Sequence, residues 1–283
     1  IGDKLSLFIL GLLTLQALIN LLGVFGPELS FDALWYHLTL PKIYLSQHRV
    51  FNIPSRLLYY SAAPQLVEMI YIPFLQFFGQ TGPKFVHFLF GFGCLIVQYK
   101  IFRQLLSKKD SLLLCLVFYS QLVIGWLSTT AYTDLALVFF QNLGILAFVR
   151  WWERRENIWL VESGIFFGLA ASVKLIGVWS ILAFVISLWL QRVKREKIGI
   201  LFFSFLLPLV PWLVYALVAT SNPVYPYFTD WFFKSQSLGL TPTQWLLTRH
   251  PWSFLKTIWQ MVFTKGDILS PITIISLPIV IIG

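Results

Sequence analysis

Residues 158–190 read IWLVESGIFFGLAASVKLIGVWSILAFVISLWL, two apolar runs parted by a single lysine, Lys174. A helix needs about 20 apolar residues to cross the hydrocarbon of a bilayer, and each run approaches that length. The stretch therefore reads as two helices that meet in a tight turn, with one ammonium at the turn. The rest of the chain agrees. Its 283 residues are 58% hydrophobic and 12% charged, with a mean hydropathy of +0.76, against about 25% charged residues in an ordinary globular domain. A water-soluble fold of this size cannot hide so much apolar surface, so lipid must cover part of it. The formal net charge of +9 does not point to nucleic acid. The basic residues cluster between apolar runs, where they set orientation in a membrane.

Working outward, further apolar runs occupy residues 5–25, 83–102, 112–127, 135–149, 198–219 and 268 onward. With 158–173 and 175–190 they make about eight spans. The middle ones are joined by very short turns, which favours an antiparallel arrangement. The expected fold is all-α, a polytopic transmembrane helical bundle, read as one membrane-embedded module over residues 1–283. No small-residue cleavage site follows the first run, so it reads as a retained span rather than a signal peptide. The chain stops inside its last apolar run, and it is expected to be part of a longer protein.

One set of connections holds Lys100, Arg103, Lys108 and Lys109, then Arg150, Arg154 and Arg155, then Arg192, Lys194, Arg195 and Lys197. By the positive-inside rule this set, with Lys4, faces the cytoplasm. The opposite side receives residues 26–82, the turn 128–134, the turn at Lys174 and residues 220–267, which contain Tyr225, Tyr227, Trp231 and Trp245. Long loops tend to carry function. Residues 33–46 are rich in Trp, Tyr and Leu, too short and too polar to span, and read as an interfacial helix. A second such helix is expected from after Ser61 to Phe78, with Pro64 in its first turn and Gly79 at its end.

Asp32, Asp134 and Lys174 stand isolated in apolar surroundings, all on the side away from the basic set. A charge beside lipid is costly and is kept for a partner or a task. Asp32 heads the first interfacial helix, where it can cap the helix or accept a proton from an attacking hydroxyl. Trp35 and Tyr36 fall on its face three and four residues later. Asp134 begins a span and has the same two readings. Lys174 either snorkels to the interface or anchors a phosphate as a compact positive charge. Glu68 is placed to line the outer cavity and Glu162 to reach the cytoplasmic interface. Arg56 is a further candidate for phosphate. Tyr60, with Tyr59, can stack on a sugar or a lipid headgroup, although tyrosines also anchor any membrane protein at the interface. Tyr36 and His37 complete the candidate substrate contacts. The four histidines have no metal-ligand spacing. Cys94 and Cys115 lie inside apolar runs and read as packed or lipid-facing thiols.

Four stretches carry a family likeness: Ser30-Phe31-Asp32-Ala33-Leu34-Trp35-Tyr36-His37-Leu38, Ala131-Tyr132-Thr133-Asp134-Leu135-Ala136, Gly168-Leu169-Ala170-Ala171-Ser172-Val173-Lys174-Leu175-Ile176-Gly177 and Ser221-Asn222-Pro223-Val224-Tyr225-Pro226. In their order and common sidedness they resemble the GT-C glycosyltransferases, and more narrowly the branch of the protein mannosyltransferases and the aminoarabinose transferase of lipid A. The resemblance implies a polyprenyl-phosphate-linked sugar as donor and an acceptor on the extracytoplasmic face, that is, an integral protein of a bacterial plasma membrane. It implies Asp32 as the base, Asp134 as a positioning carboxylate and Lys174 as the holder of the leaving phosphate. The branch often has an acidic pair in the first loop. Here Asp32 is followed by Ala33, so a single carboxylate works there or Glu68 assists. The branch can also carry a lysine before the second interfacial helix, where this chain has only Arg56 nearby. A divalent metal serves some relatives; with one carboxylate per motif, no metal and no other cofactor is expected here. The partners expected are the lipid-linked donor, an unidentified acceptor and membrane lipid, with no nucleic acid.

Two other functions fit a bundle that keeps charges. A transporter or flippase for a lipid-linked sugar would often show internal repeats and mid-span breaks; this chain has no repeat, and its charges sit at the ends of spans. A non-catalytic scaffold would keep the fold and ignore loss of the Asp32 carboxylate.

Overall fold

The first apolar run folds as one continuous helix, α1 (Gly2–Val24), which persists although the Thr14 hydroxyl bonds back to the Leu10 carbonyl at 2.9 Å. The computed structural model describes residues 2–55 and 57–228, with side chains from Lys4 onward. Arg56, the loop beyond residue 228 with Trp231 and Trp245, and the apolar run from 268 lie outside the described residues. After α1 come a π-helical turn (Ala33–His37) and α2 (Thr39–Gln47), then a 3-10 turn (Tyr59–Ala62) and α3 (Leu66–Phe78). The chain continues through α4 (Thr81–Leu105), α5 (Lys108–Tyr119), α6 (Leu122–Leu127), α7 (Asp134–Arg154) and α8 (Asn157–Val173). A 3-10 turn (Leu175–Gly177), α9 (Val178–Leu190) and α10 (Arg195–Thr220) follow. Among the described residues all regular structure is helical.

Among the described residues four helices, α1, α4, α7 and α10, are long and apolar enough to cross a membrane, with 21 to 26 residues each. At about 1.5 Å per residue they reach roughly 32–39 Å, beyond a hydrocarbon core of about 30 Å. Their outward faces are apolar where a water-soluble protein would be polar: Leu22 is 72%, Phe203 70% and Val218 82% exposed, the pattern of a surface meant for lipid.

Two expectations need correction. The run 112–127 is not one helix but two, α5 and α6. At the break, Gln121 turns extended, and its amide and the Ser120 hydroxyl both reach back to the Val117 carbonyl, so polar side chains compete with the helical ladder. Pro64 does not lie in the first turn of α3. Proline pushes its predecessor out of the helical region; Ala63 is extended at ψ 169°, and the helix starts only at Leu66.

Helix α7 joins two apolar cores. Its first turns (Leu135, Ala136) pack with α1, α3, α4, α5 and α6 around Tyr71, Leu75 and Tyr119. Its later turns (Phe148, Trp151) pack with α8, α9 and α10 around Phe167, Ile181, Leu201 and Phe205. The contact of α8 with α10 is made by small residues spaced four apart. A Cβ on Gly164 would stand 2.5 Å from the Leu201 carbonyl oxygen, and one on Gly168 only 2.2 Å from that of Phe205. Backbones approach this closely in membranes through such small-residue pairs. The Ser172 hydroxyl then donates to the Pro208 carbonyl at 2.9 Å, within the stretch of α10 interrupted by Pro208 and Pro211.

Candidate active site

Where α1, α4 and α7 meet, the chain spends buried polar groups on two loops. Lys84, 1% exposed, donates to the carbonyls of Gly23 (3.3 Å) and Gly26 (2.7 Å) at the end of α1. Glu28 then bridges the loops with one carboxylate: Oε1 accepts from Ser30 N–H (2.9 Å) and Oε2 from Ala131 N–H (2.7 Å). His87 holds the second loop from below. Its Nδ1 meets the Leu127 and Thr130 carbonyls, each at 2.9 Å, and its Nε2 accepts from Leu135 N–H at 3.0 Å. Those bonds assign the ring proton to Nδ1. The Tyr71 hydroxyl donates to the Tyr132 carbonyl. The Tyr132 hydroxyl accepts from Asp32 N–H at 3.2 Å, which ties the start of the π-helical turn to the loop that leads to Asp134.

The third element is the turn after α8. Lys174 N–H closes on Ala170, and its carbonyl accepts from Gly177 N–H at 2.9 Å. Gly177 is required by close approach, since a Cβ there would lie 2.7 Å from the Ala170 carbonyl carbon and the Ala171 nitrogen. The tight turn aims Lys174 at α7, and its Nζ donates to Asp134 Oδ1 at 2.8 Å, with the two side chains 28% and 37% exposed.

Asp32, Tyr36, His37, Tyr60, Glu68, Asp134 and Lys174 all line one cavity of about 360 Å³, within the usual range of small-molecule sites of roughly 300–1,000 Å³. Of the candidate site residues only Arg56 is not among them, because it lies outside the described residues. Asp32 and Asp134 both sit where helices begin, yet neither carboxylate caps a helix. The capping reading is therefore overturned for both. Glu68 Oε1 takes a 2.6 Å bond with His37 Nδ1, with both side chains buried. Among the described residues, no hydrogen bond or ion pair engages the Asp32 carboxylate.

Aromatic rings form one side of the cavity. Tyr36 stacks on Tyr60 at 4.1 Å and 19°, Tyr59 leans on Tyr60 at 4.2 Å, and Trp35 meets Tyr60 edge-on and donates to the Leu57 carbonyl. Burial, and then the field of Asp32, hold the Tyr36 phenol above its ordinary value; burial does the same to Tyr59. Both are neutral hydroxyls at physiological pH. Gln65 braces this wall, accepting from the Tyr44 hydroxyl and donating to the Ser61 carbonyl. The Asn-Pro-Val-Tyr-Pro stretch folds around Asn222, which accepts from Val224 N–H and donates to the Tyr227 carbonyl. That fold brings Pro226 and Tyr227 to the cavity.

Sequence reasoning missed Glu28, Lys84, His87, Tyr71 and Tyr132. A signal existed for the first three. Glu28 lies four residues before Asp32, and Lys84 and His87 lie in or beside an apolar run, so all three are isolated polar groups of the kind that singled out Lys174. The cavity lies at the ends of α7 and α8 away from Arg150, Arg154 and Arg155.

Comparison with curated proteins and with solved structures gives no significant match. A family profile does match. It is described as dolichyl-phosphate-mannose-protein mannosyltransferase and covers residues 64–215, more than half of the chain. The matched stretch contains Glu68, Asp134, Lys174 and the His87 brace; Asp32 lies before it. With its described residues all-helical in their regular structure, four membrane-length helices among them and this match, the chain is a GT-C-type, glycosyltransferase-like integral membrane protein, and it belongs to the dolichyl-phosphate-mannose-protein mannosyltransferase family.

Proposed function

We propose that this protein transfers a sugar from a polyprenyl-phosphate-linked donor to an acceptor outside the cytoplasm, in a bacterial plasma membrane. The observation that carries this is convergence: Asp32, Asp134 and Lys174, from three distant parts of the chain, line one cavity with Glu68, His37 and an aromatic wall. The side of the membrane follows from the basic connections at the far ends of the helices. In this reading α2 and α3 lie at the outer interface beside the cavity, and α5, α6, α8 and α9 complete the bundle with the helices of full length.

Asp32 accepts the proton of the acceptor hydroxyl as its oxygen attacks the anomeric carbon. The bond from that carbon to the phosphate oxygen breaks on the opposite face, so the configuration inverts. The polyprenyl phosphate leaves with the bonding pair. Lys174 stabilises the negative charge that grows on the phosphate. To do so it exchanges Asp134 for a phosphate oxygen, and the released Asp134 orients the incoming hydroxyl. No metal is part of this scheme, so transfer is expected to persist in a chelator. Asp32→Asn tests the core of it: envelope glycans and lipid-linked sugars are compared by mass spectrometry in cells with the wild-type gene, no gene and the variant. The variant should resemble the deletion while the purified protein still binds polyprenyl phosphate. Unchanged glycans in the variant would refute Asp32 as base.

A further inference from the structure

The buried pair on the cavity wall has more to offer than shape. His37 is 1% and Glu68 4% exposed. Their one contact, Nδ1 to Oε1 at 2.6 Å, uses half of each group. His37 Nε2 and Glu68 Oε2 are buried without any partner. A buried polar atom left unpaired costs about 1–3 kcal/mol, and here both such atoms belong to one bonded pair that lines the cavity. Elsewhere this chain satisfies its buried histidine completely, since His87 uses both ring nitrogens. Among the described residues other buried side-chain atoms also lack a partner, but only these two belong to residues that line the cavity, where a bound molecule can supply it.

Three features define that partner. Glu68 holds Nδ1, so the nitrogen left over is Nε2, a division of labour that fixes ring orientation. Nε2 and Oε2 both satisfy hydroxyl groups: the carboxylate oxygen accepts, and an imidazole nitrogen accepts or donates while a hydroxyl does either. The faces around them are aromatic, with Tyr36 4.0 Å from the His37 ring and stacked on Tyr60. Flat rings beside hydroxyl-specific polar atoms suit a carbohydrate rather than a lipid tail, which has no hydroxyls, or a phosphate, which the carboxylate would repel.

We infer that His37 and Glu68 form a hydroxyl-reading subsite for the sugar of the lipid-linked donor, with His37 contacting the hydroxyl and Glu68 positioning the ring. This rests on the proposed function, and it adds a specificity determinant to it. A site with buried polar groups built to meet a substrate hydroxyl rejects the analogue that lacks it, because those groups are then stranded.

The test needs no acceptor. Protein in nanodiscs is titrated with farnesyl phosphate alone, then with farnesyl-phosphate-linked mannose, glucose and arabinose, then with each single-deoxy form of the sugar that binds best. The wild type should bind one sugar more tightly than farnesyl phosphate alone and lose about 10- to 100-fold in affinity when one particular hydroxyl is removed. His37→Ala and His37→Gln should weaken the parent sugar by a similar factor and leave that deoxy analogue unaffected, so that discrimination falls to near unity. If no sugar adds affinity over farnesyl phosphate, the carbohydrate-transfer reading falls, and this subsite with it. If a sugar adds affinity but every deoxy form binds the wild type equally, or the variants weaken all forms in parallel, the transferase reading stands and the subsite is refuted.

Discussion

Replacing Asp134 by Asn should tighten the binding of a polyprenyl phosphate and at the same time cripple sugar transfer. The opposite signs follow from one contact. Lys174 Nζ sits 2.8 Å from Asp134 Oδ1, so a phosphate that recruits Lys174 must first displace the carboxylate. Coulomb attraction at that distance is about 1.5 kcal/mol at a dielectric constant near 80 and about 6 kcal/mol near 20. The side chains are 28% and 37% exposed, and solvent screening brings the net value down to about 1–2 kcal/mol. Freeing Lys174 from that partner corresponds to roughly 5- to 30-fold in Kd. Undecaprenyl phosphate is titrated into nanodisc-embedded wild type, Asp134→Asn, Lys174→Met and the double variant. The Asn variant should gain affinity, the Met variant should lose it, and in the double variant the gain should vanish, because it acts through Lys174. Transfer by the Asn variant should fall by about 100-fold or more. Equal or weaker binding by Asp134→Asn, or a gain that survives loss of the ammonium, would refute the exchange of partners.

Glu28→Ala strands the buried Ala131 N–H and unties the two loops, so it should lower the unfolding free energy of the detergent-solubilised protein by about 1–3 kcal/mol, read as a fall in thermal midpoint, and reduce transfer more than phosphate binding. Gly168→Ala places a methyl 2.2 Å from the Phe205 carbonyl oxygen and should cost about 1–3 kcal/mol, whereas Gly199→Ala, within α10 and with nothing within 4 Å, should hold or slightly raise the thermal midpoint. Burial raises the Tyr36 and Tyr59 phenols above the ordinary value of about 10. Their contribution to stability is therefore complete below about pH 10 and is lost as pH rises through the raised values. In an alkaline titration followed by tyrosinate absorbance and by helix content, the last tyrosines should ionise only as the helices melt.

Much of the cavity was legible because charge in an apolar chain is conspicuous. Asp32, Asp134 and Lys174 stand out against their surroundings, and the basic connections alone order them onto one end of the helices. The described helices largely follow the apolar runs, with two exceptions, although only four of them, not about eight, reach membrane length. Both exceptions are local competition that hydropathy does not register: Ser120 and Gln121 bonding back to Val117, and Pro64 bending its neighbour into the extended region. The braces were less legible for another reason. Tyr71 and Tyr132 look like any interfacial tyrosine, and their role depends on which carbonyl or N–H lies 61 or 100 residues away in the chain. The Gly164 and Gly168 pair has a readable spacing, but its partner surface on α10 follows from packing alone.

The pairing of charges in the cavity also bears on which carboxylate works as the base. Among the described residues three line it: Asp32, Glu68 and Asp134. Glu68 is held by His37 at 2.6 Å and Asp134 by Lys174 at 2.8 Å. A carboxylate already engaged by a cation or a donor must give up that bond before it can take the acceptor's proton. Asp32 alone of the three has no such bond among the described residues, while its backbone is tied to Tyr132 and, through Glu28, to the loop of Asp134. A fixed backbone under an uncommitted carboxylate is what a general base needs, and it supports the proposal that Asp32 accepts the proton even though Ala33 follows where a second acid would otherwise help.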